Sequence, residues 1–123
     1  MARDRAGPAA DRMLAVRLDA IATRHARWGA ITEDQSAAAV DELREIADGR
    51  SDLLAEVAGL ALGTTERKGP EYQARGQAVA RLCRMAGADE SLIAPWIQEG
   101  RRRAETRRMP PFSQPGQRMP RRP

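Results

Sequence analysis

Apolar residues return at helical intervals through most of the chain, and nowhere do they alternate in the period-2 manner of a half-buried strand. Leu14, Leu18, Ile21, His25 and Trp28 follow one another at steps of 4, 3, 4 and 3. That spacing puts them on one face and predicts a first helix over about Ala10–Trp28, with Gly29 as its left-handed stop. Thr32-Glu33-Asp34-Gln35 has the form of a capping box, in which the Thr32 hydroxyl accepts from the third helical amide and Gln35 reaches back. It opens a second helix with Ala39, Val40, Leu43, Ile46 and Ala47 inward, ended by Gly49. Ser51 is the expected cap of a third helix, Asp52–Leu62, which is apolar on most sides through Leu53, Leu54, Val57, Leu60 and Ala61. Such a helix belongs at the centre. The connectors Gly29–Ile31 and Gly49–Ser51 are short enough to make these three helices neighbours.

Gly63–Gly69 reads as the longest internal loop. Pro70 suits the first turn of a fourth helix, which continues through Tyr72, Val79, Leu82 and Met85 to Ala86, with Gly87 closing it. Asp89 is the expected cap of a fifth helix running to about Arg108 through Leu92, Ile93, Trp96 and Ile97. Pro95 lies inside it and predicts a kink, or a short first turn with the helix restarting there. Beyond Met109 five prolines oppose regular structure. The expected architecture is all-α: a compact bundle of about five short helices over 10–108, after a flexible arm at 1–9 and before a disordered Arg/Pro-rich tail at 109–123.

Composition sharpens this reading. Apolar residues make up 41% of the 123, but 23 are alanine, so the interior is expected to be thin and the helices closely spaced. The net charge of +4 conceals an asymmetry. Residues 1–100 carry 13 basic against 16 acidic side chains, whereas 101–123 carry 8 arginines against Glu105 alone. The basic character therefore belongs to the C-terminal end. Cys83 and His25 are the single cysteine and histidine, which excludes an internal disulfide and leaves zinc without its usual ligands; no cofactor is expected. The N-terminus has no apolar leader, and Glu56 interrupts the longest apolar stretch, Leu53–Leu62. The expectation is a cytoplasmic protein with no membrane span.

Few residues invite chemistry. His25 falls on an apolar face beside Trp28, Cys83 on the buried side of its helix, and Asp41, Glu42, Glu45 and Asp48 form a solvated acidic run. No catalytic constellation emerges, so an enzyme and a small-molecule substrate are not expected. The 63–70 loop has Gly, Thr, Arg67 and Lys68 but not the order of a phosphate-binding loop, and reads as an exposed connector. Residues 79–98 have the outline of a degenerate helix-turn-helix, with Leu82, Ala86, Ile93 and Trp96 at packing positions, Cys83 at the crossing and Gly87 at the turn. Asp89 and Glu90 at the start of its second helix oppose DNA. Arg101, Arg102, Arg103, Arg107 and Arg108, running into the tail, form a candidate nucleic-acid contact of low sequence preference, and only Phe112 there can stack on a base. Trp28 and Trp96 are the candidate interface anchors, because aromatic side chains dominate both cores and interfaces.

The stretch from Leu14-Ala15-Val16-Arg17-Leu18-Asp19-Ala20-Ile21 through Ala94-Pro95-Trp96-Ile97-Gln98-Glu99-Gly100-Arg101-Arg102-Arg103 resembles small alanine- and arginine-rich helical proteins of high-GC actinobacteria. That resemblance implies a bacterial cytoplasmic protein and adds some weight to nucleic acid, but brings no activity and no site residues. Two functions are expected from the residues themselves. The first is a non-enzymatic helical adaptor or accessory protein that binds a protein partner or a second copy of itself through helix 1 or helix 5. The second is a nucleic-acid-binding accessory protein using the C-terminal arginines.

Overall fold

The structure, a computed structural model, describes residues 7–26 and 32–108, and among them it holds five helices and no strand. They are α1 (Gly7–His25), α2 (Glu33–Ala47), α3 (Ser51–Thr65), α4 (Pro70–Met85) and α5 (Glu90–Arg108). The helical class and the element order are those the spacing predicts. Residues 1–6 of the arm expected at 1–9, Trp28 with its Gly29 stop, and the tail from 109 onward lie outside the described residues.

The local start and stop signals act as expected. Gln35 N donates to Thr32 Oγ1 at 3.1 Å and Thr32 N donates to Gln35 Oε1 at 3.0 Å, which closes the capping box of α2. Asp48 and Gly49 both adopt positive φ after α2, at 50° and 85°. Asp tolerates that region better than most side chains, so the chain reverses before its glycine. Gly87, at φ 112°, ends α4 in the same manner, with Ala88 N donating to the Cys83 carbonyl at 3.0 Å. Asp89 Oδ1 accepts from Ser91 N at 3.0 Å and caps α5.

Three boundaries differ from expectation. Helix α1 begins at Gly7 rather than Ala10, because Pro8 fits the first turn of a helix and extends it backwards. Ser51 is the first helical residue of α3 rather than its cap. Arg50 stands at the cap position, forming no side-chain capping bond and instead clamping Asp11 of α1 and Asp52 of α3 at 3.0–3.2 Å. Helix α5 runs through Pro95, so of the two expected outcomes there the restart is absent; the residue four before it, Ser91, lies in the first turn, where a missing hydrogen bond disturbs least.

The largest correction concerns the expected loop at 63–69. Helix α3 continues through Gly63, Thr64 and Thr65, leaving a connector of four residues. Gly63 is buried, and a Cβ built on it would overlap the Ile97 carbonyl oxygen and come within 2.9 Å of Gly100 Cα in α5. One turn earlier, a Cβ on Gly59 would strike the Trp96 side chain and the Ile93 carbonyl. Both glycines are therefore set by a close crossing of α3 and α5 rather than by a turn. Thr64 and Thr65 do not leave the helix, since their hydroxyls donate to the Leu60 and Ala61 carbonyls at 2.7 Å. The same crowding recurs on the opposite side, where Gly76 of α4 meets Thr65 and Ala61.

Helix α3 is the central element. It contacts each of the other four helices, most extensively α5. Its own Leu54, Ala55 and Ala58 are enclosed together with Leu18, Leu43, Leu82 and Ile93 of the other helices, and Ala22 and Ala39 fill narrow gaps. Each large side chain so buried contributes about 1.5–3 kcal/mol. Of the apolar residues that mark α4 in the sequence, Val79 and Leu82 are buried, whereas Tyr72 and Met85 remain exposed.

Candidate functional site

Two surfaces merit attention, the arginine-rich end of α5 and the outward side of α1. On α5, Arg101 makes a two-pronged contact with Glu66 at 2.6 and 2.8 Å. Arg102 and Arg103 converge on Glu99, one turn back on the same helix, at 2.6–3.0 Å. Arg102 and Arg103 hold Glu99 far below the ordinary carboxylate range, at about 2, and Arg101 lowers Glu66. All three described arginines are thus engaged with carboxylates. For Arg107 and Arg108 only the helical backbone is described. The folded pKa of Glu99 lies below its unfolded value, so its ion pairs favour the fold above about pH 4.5 and lose that effect as the pH falls towards 2. Glu99→Gln is expected to flatten the acid limb of the stability profile between those limits, as followed by urea unfolding at successive pH values.

Helix α1 has two apolar sides. Leu18, Ile21 and Ala22 face the core. On the far side Met13 and Val16 are 69% and 62% exposed, the two most exposed large hydrophobic side chains among the described residues. Exposed Ala9 and Ala20 extend the strip by a turn at each end. Arg12 and Asp19 border it on one flank and Arg17 on the other. Two shallow grooves adjoin the strip, both lined by Val16 and Asp19. One, of about 460 Å³, has an apolar floor of Ala15, Val57, Leu60 and Ala61 with Arg12, Glu56, Lys68 and Arg103 around it. The other, of about 450 Å³, lies between α1 and Arg75 of α4. Burial raises the Glu56 carboxyl above its ordinary value, opposed by the nearby Arg103 charge. The sequence signal for this ridge is the helical spacing of Met13, Val16 and Ala20 on the side opposite Leu14, Leu18 and Ile21.

The remaining candidates are placed as follows. Trp96 is half-buried, with its Cβ against Gly59 of α3. The 79–98 segment does not form a packed helix pair: α4 and α5 have almost no mutual contact, and each packs on α3. Glu90, at its second helix, pairs with Arg84 at 2.6 Å. His25 is half-buried, its Nε2 lying 3.1 Å from Glu42 Oε1, and Arg24 holds the same carboxylate at 2.8–2.9 Å. Those two partners lower the Glu42 pKa, His25 foremost. No group of three or more potential metal ligands is gathered among the described residues. None of the described helices is long and apolar enough to cross a membrane.

Cys83 is enclosed in the core, and burial pushes its thiol up to about 12. The thiolate is the reacting species, so Cys83 is expected to resist a thiol reagent in the folded protein on the order of 10³-fold longer than in urea, since reaction must await opening. Equal labelling rates under the two conditions would contradict the placement.

No family model matches the chain, and neither the curated proteins nor the solved structures searched include a match.

Proposed function

We propose that this protein is a non-enzymatic interaction module, a cytoplasmic adaptor or accessory protein that presents the outward side of α1 to a protein partner. The observation that carries this reading is the contiguity of Met13 and Val16 with Ala9 and Ala20 on a helix whose other side already fills the core. Scattered exposed apolar residues are ordinary on any protein surface, whereas a continuous strip bordered by charge marks a contact surface. The engagement of His25 with Glu42 and the enclosure of Cys83 support a non-enzymatic role. Nucleic-acid binding through Arg101, Arg102 and Arg103 would require phosphate to displace Glu66 and Glu99, which weakens that alternative.

The test places a photo-crosslinking amino acid at Val16 or, as a control, at exposed Gln77 of α4, and irradiates the producing cells. Discrete polypeptide adducts from position 16 and none from position 77 are expected. The reading fails if position 16 gives none. It is replaced by the nucleic-acid reading if, in addition, the purified protein binds a labelled DNA duplex at about 50 mM salt and loses that binding on deletion of 101–123.

A further inference from the structure

We infer that the partner on the outward ridge of α1 is a second copy of this chain, paired antiparallel through the same ridge; this rests on the interaction reading above. At ~100° per residue, Ala9, Met13, Val16 and Ala20 occupy an arc of ~60° on α1, and their steps of 4, 3 and 4 are those of a two-helix seam. The strip is symmetric about its midpoint. Laid antiparallel on itself, it sets Met13 against Val16 of the other copy and Ala9 against Ala20, each twice.

That register also fixes the charges. Arg12 and Asp19, exposed and forming no salt bridge among the described residues, both immediately precede seam positions and so lie on the same flank. A two-fold axis brings like flanks together, so Arg12 of each copy comes within a turn of Asp19 of the other, giving two complementary pairs. On the opposite flank Arg17 meets Ala10 rather than its own symmetry mate, which avoids a like-charge contact. An unrelated partner would have to reproduce this pattern, whereas a second copy does so by symmetry. The small residues at both ends of the seam allow close approach. The strip is nevertheless narrow and falls at or below the ~1,200 Å² end of specific interfaces, so the dimer is expected to be weak, with a dissociation constant on the order of 10–100 µM.

Sedimentation equilibrium of the full chain between about 5 µM and 1 mM tests this. The wild type is expected to pass from monomer to dimer, and V16E to stay monomeric. R12D and D19R each place like charges together twice and are expected to weaken pairing about tenfold, while the double variant R12D/D19R restores it to within about twofold of wild type. All three positions are exposed, and unchanged melting of each variant confirms that folding is not the cause. A wild type monomeric throughout, or a double variant no better than the singles, overturns the inference. If the wild type is monomeric while position 16 still crosslinks a different polypeptide, self-pairing is wrong and the interaction surface stands. If crosslinking fails too, both are wrong.

Discussion

Gly63→Val is expected to be the most damaging single substitution in the fold, lowering stability by at least about 3 kcal/mol, and in practice yielding little folded protein. The cause is geometric. The position of a Cβ on Gly63 is taken by the Ile97 carbonyl oxygen, with Arg101 N at 2.8 Å, and both are backbone atoms of α5. A side-chain clash can be relieved by a rotamer change; this one is relieved only by moving α5 off α3, the most extensive helix contact in the molecule. Overpacking in ordinary cores costs about 1–3 kcal/mol, and a clash with backbone lies at or beyond the upper end. Against a total stability of about 5–15 kcal/mol, and with melting shifted by roughly 4–8 °C per kcal/mol in a domain of this size, the transition would fall by more than about 12 °C. Gly69 provides the contrast. It caps α4 with negative φ, nothing lies within 4 Å of its would-be Cβ, and Gly69→Ser supplies a better capping residue. That variant should melt within a degree or two of wild type or slightly above it. Thermal and urea unfolding of the pair decides the matter: equal effects would mean that the α3–α5 crossing is not close.

The second large effect separates the two sides of α1. Leu18 is fully enclosed, and Leu18→Ala should cost about 2–5 kcal/mol through lost burial and the cavity left behind. Val16 lies two residues away on the same helix and is 62% exposed, so Val16→Ser should change the stability of the monomer by no more than about 0.5 kcal/mol. Urea unfolding at low protein concentration keeps any self-association out of the comparison. If Val16→Ser destabilises as much as Leu18→Ala, then α1 is rotated relative to this description and the ridge is part of the core.

What could be read in the sequence was whatever is decided within a turn or two of chain. The capping box at Thr32, the Asp89 cap, and the reversals at Gly49 and Gly87 each need only their immediate neighbours, and each is present. The inner face of α1 was equally legible through Leu18 and Ile21. Gly63 was not, because the reason for a glycine there lies on α5, at Ile97 and Arg101 far along the chain, and a glycine forced by a neighbouring helix is locally identical to one forced by a turn. The spacing of Gly59 and Gly63 by one turn, with Gly100 within the fifth helix, was the available clue. The arginines divide in the same way. Glu99 stands three and four residues before Arg102 and Arg103, a pairing any helix brings together, whereas Glu66 reaches Arg101 only through the tertiary fold. The outward ridge of α1 is hidden in the sequence because one apolar face already accounts for a helix, and a second stands out only once the first is seen to be filled.

The account turns on α1 offering its unburied apolar side to another polypeptide, a second copy foremost. Amide NMR spectra of the uniformly labelled chain, recorded on dilution from about 1 mM to 20 µM, report on this residue by residue. Shifts that move with concentration are expected at Met13, Val16, Asp19 and Ala20, with α4 and the arginine end of α5 unmoved. Spectra that do not change on dilution, or changes centred instead on Trp96 and Arg101, would contradict it.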